Sequence, residues 1–541
     1  MVEVNADLML LKKRTYSNMD TEFSSVRTDF MELAEYTLPR RYRYLNEGRQ
    51  RNTGKGRNKK ILDGVATRAV RTLSAGLLFS LASPLRPWLK FEMKNDSLRA
   101  KQWASETAFA IQAAMARSNF YGTLGENYND LSVFGTSPML IYEDQRNHFR
   151  CYTSPCGEYR LMKDARNTIG YFSRTLMMTS DQLVNRFGFE NCSDQVQRDF
   201  QHTTTGSNKF NEYAIYHLIE PNDGTENFPA DLTYREYYWE KSQNERMLSI
   251  SGFREKPFTA PRWEVVGNDT YGVSPAMDAL GDIIQLQHLV MRRAKSIDKM
   301  ESPPIVADQT LRNSPSALMP NGVTFVPSAT QVGAKPLYLL NPPLNEMLAL
   351  EGQKKQDINE FFYNDLFRAI LNLQTVRSAT EVIERTEEKL ALLGLVVHRL
   401  EHELLNDAVL RIYSILARRG ELPEPPPEVE DDQIELKYNT ILHGAIRAAG
   451  IGNLERYLST AGQLVSLAPD TYDVTDWHEL LRNYADILEI DPNNLQTRDY
   501  VEEQAAIRRD LEQQREQAEI QQLLSQSSAN LADADVPAGV V

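Results

Sequence analysis

At 541 residues the chain exceeds what one ordinary core supports and predicts several domains or one large elongated subunit. Its 41% hydrophobic content is enough for a packed interior. A net charge of −14 argues against tight non-specific gripping of nucleic acid, while still suiting a repelling wall past which DNA slides. The three cysteines, Cys151, Cys156 and Cys192, lack Cys/His partners at zinc-ligand spacing and read as free thiols in a reducing compartment. Val2–Leu11 is charged within a few residues, so no signal peptide is expected, and no apolar run approaches the ~20 residues of a membrane span. The chain is expected to be made and kept in the cytoplasm, with no membrane partner.

In chain order, residues 5–38 predict a helix closed by Pro39. A basic, glycine-containing loop follows, with Arg40, Arg41, Arg43, Arg49, Arg51, Lys55, Arg57, Lys59 and Lys60 against Glu47 alone. It reads either as a solvated loop or as a contact with nucleic acid or an acidic partner. Helices are expected over 61–80, 97–118 and 124–134, with a strand beginning at Trp88 and Phe91. From Pro138 to about Val266 the pattern turns to short alternating runs, Met139–Tyr142, Gly170–Leu176 and Ala214–Ile219, interrupted by a helix near Ser180–Phe187.

The second half is mostly helical. Ser274-Pro275 opens a helix over 274–301: serine suits the N-cap and proline the first helical position. Residues 302–344 form an excursion rich in Pro, Gly and Asn, with strand-like pieces at Val323–Val326 and Leu337–Leu340. A second helix is expected over 345–371, a break over 372–378, and the longest helix over 379–420. A helix–excursion–helix of this length suits a rod that projects its tip from a body. A 28-residue helix spans ~42 Å. Residues 421–435, with Pro423, Pro425, Pro426 and Pro427 among acidic side chains, read as an extended linker. A small helical domain (436–496), a final Gln/Glu/Arg-rich helix (497–526) and a disordered tail (527–541) complete the chain.

One catalytic pattern is present. His398-Arg399-Leu400-Glu401-His402 matches H-x-x-E-H, in which two histidines one turn apart hold Zn²⁺ and a glutamate activates water. Against a zinc hydrolase, the apolar stripe Leu390, Leu393, Val397, Leu400 and Leu404 runs through the motif and marks a packing face of a long helix or an interface. No phosphate loop, nucleophile elbow or dinucleotide fingerprint is found, and no cofactor is implied. The residues favour a structural assembly protein over an enzyme.

Several passages resemble the head-to-tail connector (portal) proteins of short-tailed, podovirus-type bacteriophages. Residues 32–39 (ELAEYTLP) are similar to that family's opening helix and proline stop. Leu73-Ser74-Ala75-Gly76-Leu77, Ser83-Pro84, Arg86-Pro87-Trp88, Ser118-Asn119-Phe120, Phe134-Gly135-Thr136, Tyr271-Gly272-Val273-Ser274-Pro275 and Ser378-Ala379-Thr380-Glu381-Val382 follow in the family's order. The resemblance implies an α+β fold, mainly α in the second half, assembling as a dodecameric ring around a channel.

It also implies a wing or body (1–273), a first stem helix (274–301), a clip (302–344), a second stem helix (345–371), a channel loop (372–378), a long wing helix (379–420) and a crown (436–496). The final helix, 497–526, would extend into the capsid interior as a C-terminal helix or barrel. Expected DNA-channel residues are Gln374, Thr375, Val376 and Arg377, with Lys354 and Lys355 as secondary contacts. Expected clip contacts are Pro303, Pro304, Arg312, Asn321, Lys335 and Tyr338. The helix carrying Leu390 to Leu404 would pack subunits. Implied partners are double-stranded DNA, a separate terminase motor, capsid and scaffolding proteins, tail or adaptor proteins and internal core proteins. The location would be the portal vertex of the virion, after assembly in the bacterial host cytoplasm.

Overall fold

Central strands buried on both faces form the middle of the body. In this computed structural model, β4 (Tyr159–Lys163), β5 (Ile169–Thr179), β6 (Glu212–Pro221), β7 (Tyr234–Glu240) and β8 (Ser249–Phe253) form an antiparallel meander in that order. Leu218 stands opposite Tyr237, and Tyr216 opposite Trp239. That face is covered by helix α1 (Ala6–Tyr36), whose Met9 and Met19 pack on Leu218, Tyr237 and Trp239. The opposite face carries Ile215 and Tyr238 and is covered through Leu183, Cys192 and Val196, from the Ser180–Phe187 and Asp194–Gln201 helices and the turn between them. A sheet covered on both sides buries residues of both parities, so β6 and β7 are nearly continuously buried, charged Arg235, Glu236 and Glu240 included.

The structure describes residues 6–46, 59–92, 98–201, 208–224, 228–243, 246–301, 305–307, 334–336, 342–371, 387–427, 435–438 and 457–463, with isolated positions between 480 and 524. The chain divides into two units, Met1–Lys94 with Trp103–Ala449, and Asn95–Gln102 with Gly450–Val541. In the second unit the described positions from 457 onward are helical.

The expected elements appear with small shifts. The 61–80 helix runs Val65–Leu81 (α3), the 97–118 helix Leu98–Arg117 (α4), and the 124–134 helix starts one turn earlier, Phe120–Phe134 (α5). The interrupting helix is Ser180–Phe187, opened by a capping box in which Thr179 and Gln182 satisfy each other's amides. A second sheet orders β3 (His148–Thr153), β2 (Met139–Asp144) and β9 (Phe258–Thr259). The strand after Trp88, Leu89–Glu92, pairs antiparallel with Glu435–Tyr438 across more than 340 positions, and Trp88 stacks on Tyr438 at 6.0 Å. All three cysteines are free and buried, as expected. Among the described residues no helix is long and apolar enough to cross a membrane.

The longest helix is described from Glu387 to Arg418, with a π-helical turn at Glu401–Asn406. Leu393, Val397, Leu400, Leu404, Ala408, Ile412 and Ile415 are all buried on one side, so the sequence stripe is the helix's packing face. The helix is fixed to the segment just after β8: Glu403 receives Arg262 through its backbone amide at 2.9 Å and its guanidinium at 2.7 Å. Lys256 meets Asp407 at 2.9 Å, and the buried Arg411 reaches Glu255.

Candidate functional site: the helical hairpin and its anchor

Ser274 acts as the N-cap that its residue type requires: its hydroxyl accepts from the Met277 amide at 3.2 Å, and Pro275 follows at the first helical position. The helix continues, after a break at Ala279, as α9 (Leu280–Glu301). Its partner is α10 (Leu344–Phe361), followed by α11 (Asn364–Leu371). The single helix expected over 345–371 is broken because Tyr363 adopts a left-handed conformation, φ 53°. Three successive aromatic residues, Phe361, Phe362 and Tyr363, hold little helix propensity to resist the break.

Helices α9 and α10 form an antiparallel hairpin whose base is buried and whose far half is not. Ile283, Leu286 and Gln287 are buried; beyond Gln287 no α9 residue is, and Ile297 and Met300 are 41% and 44% exposed. At 1.5 Å per residue α9 alone is ~33 Å long. Midway, Arg293 donates to the buried Glu351 at 2.7 Å. Nearer the base, Lys354 holds Asp282 at 2.8 Å and Asp357 at 3.2 Å. The hydrogen bond that Lys354 donates to Asp282 leads the effects that raise the Lys354 pKa.

The base is locked to the body at three places. Gln287 accepts from the Leu62 and Asp63 amides at 2.7 and 2.8 Å and donates back to the Asp63 carbonyl at 2.9 Å. Asp63 also takes Lys355 at 2.8 Å. Gly76 of α3 lies under the Phe367 ring of α11, where a Cβ would stand 2.3 Å from ring carbons.

The third lock joins two of the sequence motifs. Gly135 ends α5 at φ 68°, and a Cβ there would lie 2.1 Å from the Gly272 carbonyl oxygen; a Cβ on Gly272 would lie 2.4 Å from the Gly135 oxygen. Around this contact the Gly272 amide donates to the Thr136 hydroxyl at 2.8 Å, and the Ser274 hydroxyl donates to the Val133 carbonyl at 2.7 Å. Phe134-Gly135-Thr136 and Tyr271-Gly272-Val273-Ser274 are therefore two halves of one joint, from which the hairpin rises.

The H-x-x-E-H residues are not gathered into a metal site. His398 and His402 lie on the exposed face, 3.3 Å apart at their Nε2 atoms, while Glu401 turns inward and burial pushes its pKa up to about 7. Asn406, bonded by the Tyr438 hydroxyl at its oxygen, approaches His402 Nδ1 at 3.1 Å with its amide nitrogen. Among the described residues no group of three His, Cys, Asp or Glu could hold an ion.

The bacteriophage head-to-tail connecting protein family model matches residues 11–495, through the joint and the hairpin. The chain belongs to that family. Two relatives of this connector are similar along almost their whole length. The "Portal protein" of Salmonella phage epsilon15 is 32% identical over 503 residues, covering 91% of this chain and 89% of the relative. The "Probable portal protein" of Bordetella phage BPP-1 is 30% identical over 542 residues, covering 98% and 96%. A chain of the "Virion of native gene transfer agent (GTA) particle" superposes with a TM-score of 0.39 at 11% identity, over 81% of this chain and 90% of that one, too slight a likeness to argue from.

In this connector the sequence-selected site residues fall into three groups. Gln374, Thr375, Val376, Arg377, Pro303, Pro304, Arg312, Asn321 and Tyr338 lie outside the described residues, as do the strand-like pieces 323–326 and 337–340. Lys335 sits in a short strand, Ala334–Pro336, opposite Val306 of Ile305–Ala307. Lys354 and Lys355 are committed to Asp282, Asp357 and Asp63 in their own chain, so their first role is to brace the hairpin. The assignment of the Leu390–Leu404 stripe to subunit packing needs correction. Leu393, Val397, Leu400 and Leu404 are at most 2% exposed in a single chain and have no surface left to give a neighbour. Leu390 lies on the same helix. The outward face instead presents Leu395 and Leu410, 76% and 53% exposed. The Gln287–Asp63 clamp and the glycine joint were not singled out from sequence, because each pairs positions more than 130 residues apart.

Proposed function

We propose that the chain is the portal subunit of its virion, a non-enzymatic protein that closes a ring of twelve copies at one capsid vertex. The ring passes double-stranded DNA inward during packaging and outward during ejection. It docks first the terminase motor, which supplies the ATP hydrolysis, and then tail or adaptor proteins. Capsid, scaffolding and internal core proteins contact its periphery. The observation that carries this reading is the projecting hairpin, locked at its base by two family motifs, in a chain that matches portal relatives nearly end to end.

In that reading 1–273 and 379–420 are the wing, α9 and α10 the stem, 302–344 the clip, 372–378 the channel loop, 436–496 the crown and 497–526 the barrel. Heterologous contacts repeated by rotation close such a ring. The exposed apolar residues of the hairpin and of the long helix's outer face, Ile297, Met300, Leu348, Leu395 and Leu410, supply candidate interface area. A single positive charge per subunit at Arg377, repeated around a channel of otherwise acidic chains, grips a phosphate backbone locally without arresting it.

Virions assembled with Arg377→Ala are expected to contain intact connectors but to retain less nuclease-protected DNA. Normal DNA retention in that variant would remove Arg377 from the mechanism.

A further inference from the structure

The turn after α1 and the start of α3 line a cleft of about 1010 Å³, whose Leu62 and Asp63 also hold Gln287 and Lys355 of the hairpin base. Arg40, Arg41 and Arg43 from the first and Arg68 and Arg71 from the second line it, together with Glu126. Five guanidinium groups in one cleft are notable in a chain of net charge −14. Few of them are neutralised. Arg41 is bound to the buried Asp130 at 2.8 Å. Asp63, which also lines the cleft, is engaged by the Val65 amide at 2.9 Å and by Lys355, and stands 4.0 Å from Arg68. Arg40 and Arg71 are exposed and have no ion-pair partner among the described residues.

We infer that this cleft is a binding site for the phosphate backbone of duplex DNA, separate from the channel loop and independent of whether the chain closes a ring. The arginines suit the oxygens of a polyanion. All five cations are arginine, whose planar fork meets two phosphate oxygens at once. Arg68 and Arg71 stand one turn apart on α3, with Cβ atoms about 5–6 Å apart, a spacing that long side chains reconcile with successive phosphates of one strand.

The test is fluorescence anisotropy of a short labelled duplex with the full chain, over a salt series. Substituting Arg40→Gln, Arg68→Gln and Arg71→Gln together is expected to weaken binding by about tenfold or more. It should also flatten the dependence of log K on log salt by about 2–3, each phosphate contact contributing ~0.9. The corresponding Arg→Lys triple substitution keeps the salt slope and loses part of the affinity. Should the glutamine triple fail to fold, Arg71→Gln alone, at an exposed and unpaired position, is expected to flatten the slope by about 1. The inference is overturned by an unchanged slope and affinity, by a wild-type chain that does not bind the duplex at all, or by poly-glutamate that binds as tightly with the same arginine dependence.

Discussion

Gly135→Ala is expected to leave the chain largely unfolded, and Gly272→Ala to do nearly the same. At Gly135 two penalties add. The residue is left-handed at φ 68°, which costs an L-residue roughly 1–2 kcal/mol. Its new Cβ would also lie 2.1 Å from a backbone oxygen and 2.5 Å from the attached carbon, atoms that no rotamer change removes. Relief requires parting α5 from the start of the hairpin, breaking the Gly272–Thr136 and Ser274–Val133 hydrogen bonds and uncovering Phe134 and Tyr271, both packed on Phe30. A total loss above about 4 kcal/mol consumes much or all of a typical domain's stability. Gly281 is the control. It lies in α9 with nothing within 4 Å of a new Cβ, so Gly281→Ala should raise the melting temperature slightly, by up to about 1 kcal/mol of helix propensity. Circular dichroism melts of the three variants decide the matter; a folded Gly135→Ala protein of near wild-type stability contradicts the joint.

Acid should destabilise the protein through a buried cluster between the two larger sheets. His217 is fully buried, stacked on Tyr238 with ring centroids 4.2 Å apart. Arg174 Nε donates to His217 Nδ1 at 3.1 Å, which fixes a neutral ring whose Nε2–H donates to Glu236 at 2.9 Å. Burial lowers the His217 pKa to about 4 in spite of the carboxylate. Burial pushes Glu236 upward, but the donors His217, Ser251 and Tyr238 outweigh it and bring the carboxyl down to about 2. A depressed folded pKa means that the unfolded chain binds more protons as pH falls. Stability is therefore lost from pH 6.5 toward 4 through His217, and from 4.5 toward 2 through Glu236. For His217 the full effect is roughly 3 kcal/mol.

Asp130 pulls the other way, because burial raises it to about 6 and acid down to pH 3.8 then favours the folded state. The informative quantity is thus the difference between wild type and His217→Phe. Their melting temperatures should converge as pH falls from 6.5 to 4, the wild type losing the more. Parallel profiles across that range would show that His217 carries no proton linkage.

Much of this architecture was legible in the residues, for identifiable reasons. Ser180–Phe187 was located to the residue because a capping box and a following glycine mark both ends locally. The hairpin was found through Ser274-Pro275 and the flanking proline pairs. The apolar stripe of the long helix was read correctly as a packing face, yet its partner could not be. Periodicity states that a face is covered, not whether the cover belongs to the same chain, and Leu393 to Leu404 are covered by their own body. The break at Tyr363 and the π turn at Glu401–Asn406 escaped because neither contains a proline or glycine to announce it. H-x-x-E-H looked like a site for the complementary reason. Spacing puts the histidines on one face, and only the fold turns Glu401 inward.

The central claim is that this connector works as a ring around DNA, and electron microscopy of the purified full-length protein with class averaging tests it most directly. The account predicts closed rings of about twelve subunits with a central hole wide enough for a B-form duplex and with the α9–α10 hairpins clustered around the axis. Monomers or compact dimers without a hole, under conditions in which the chain is folded, would contradict it.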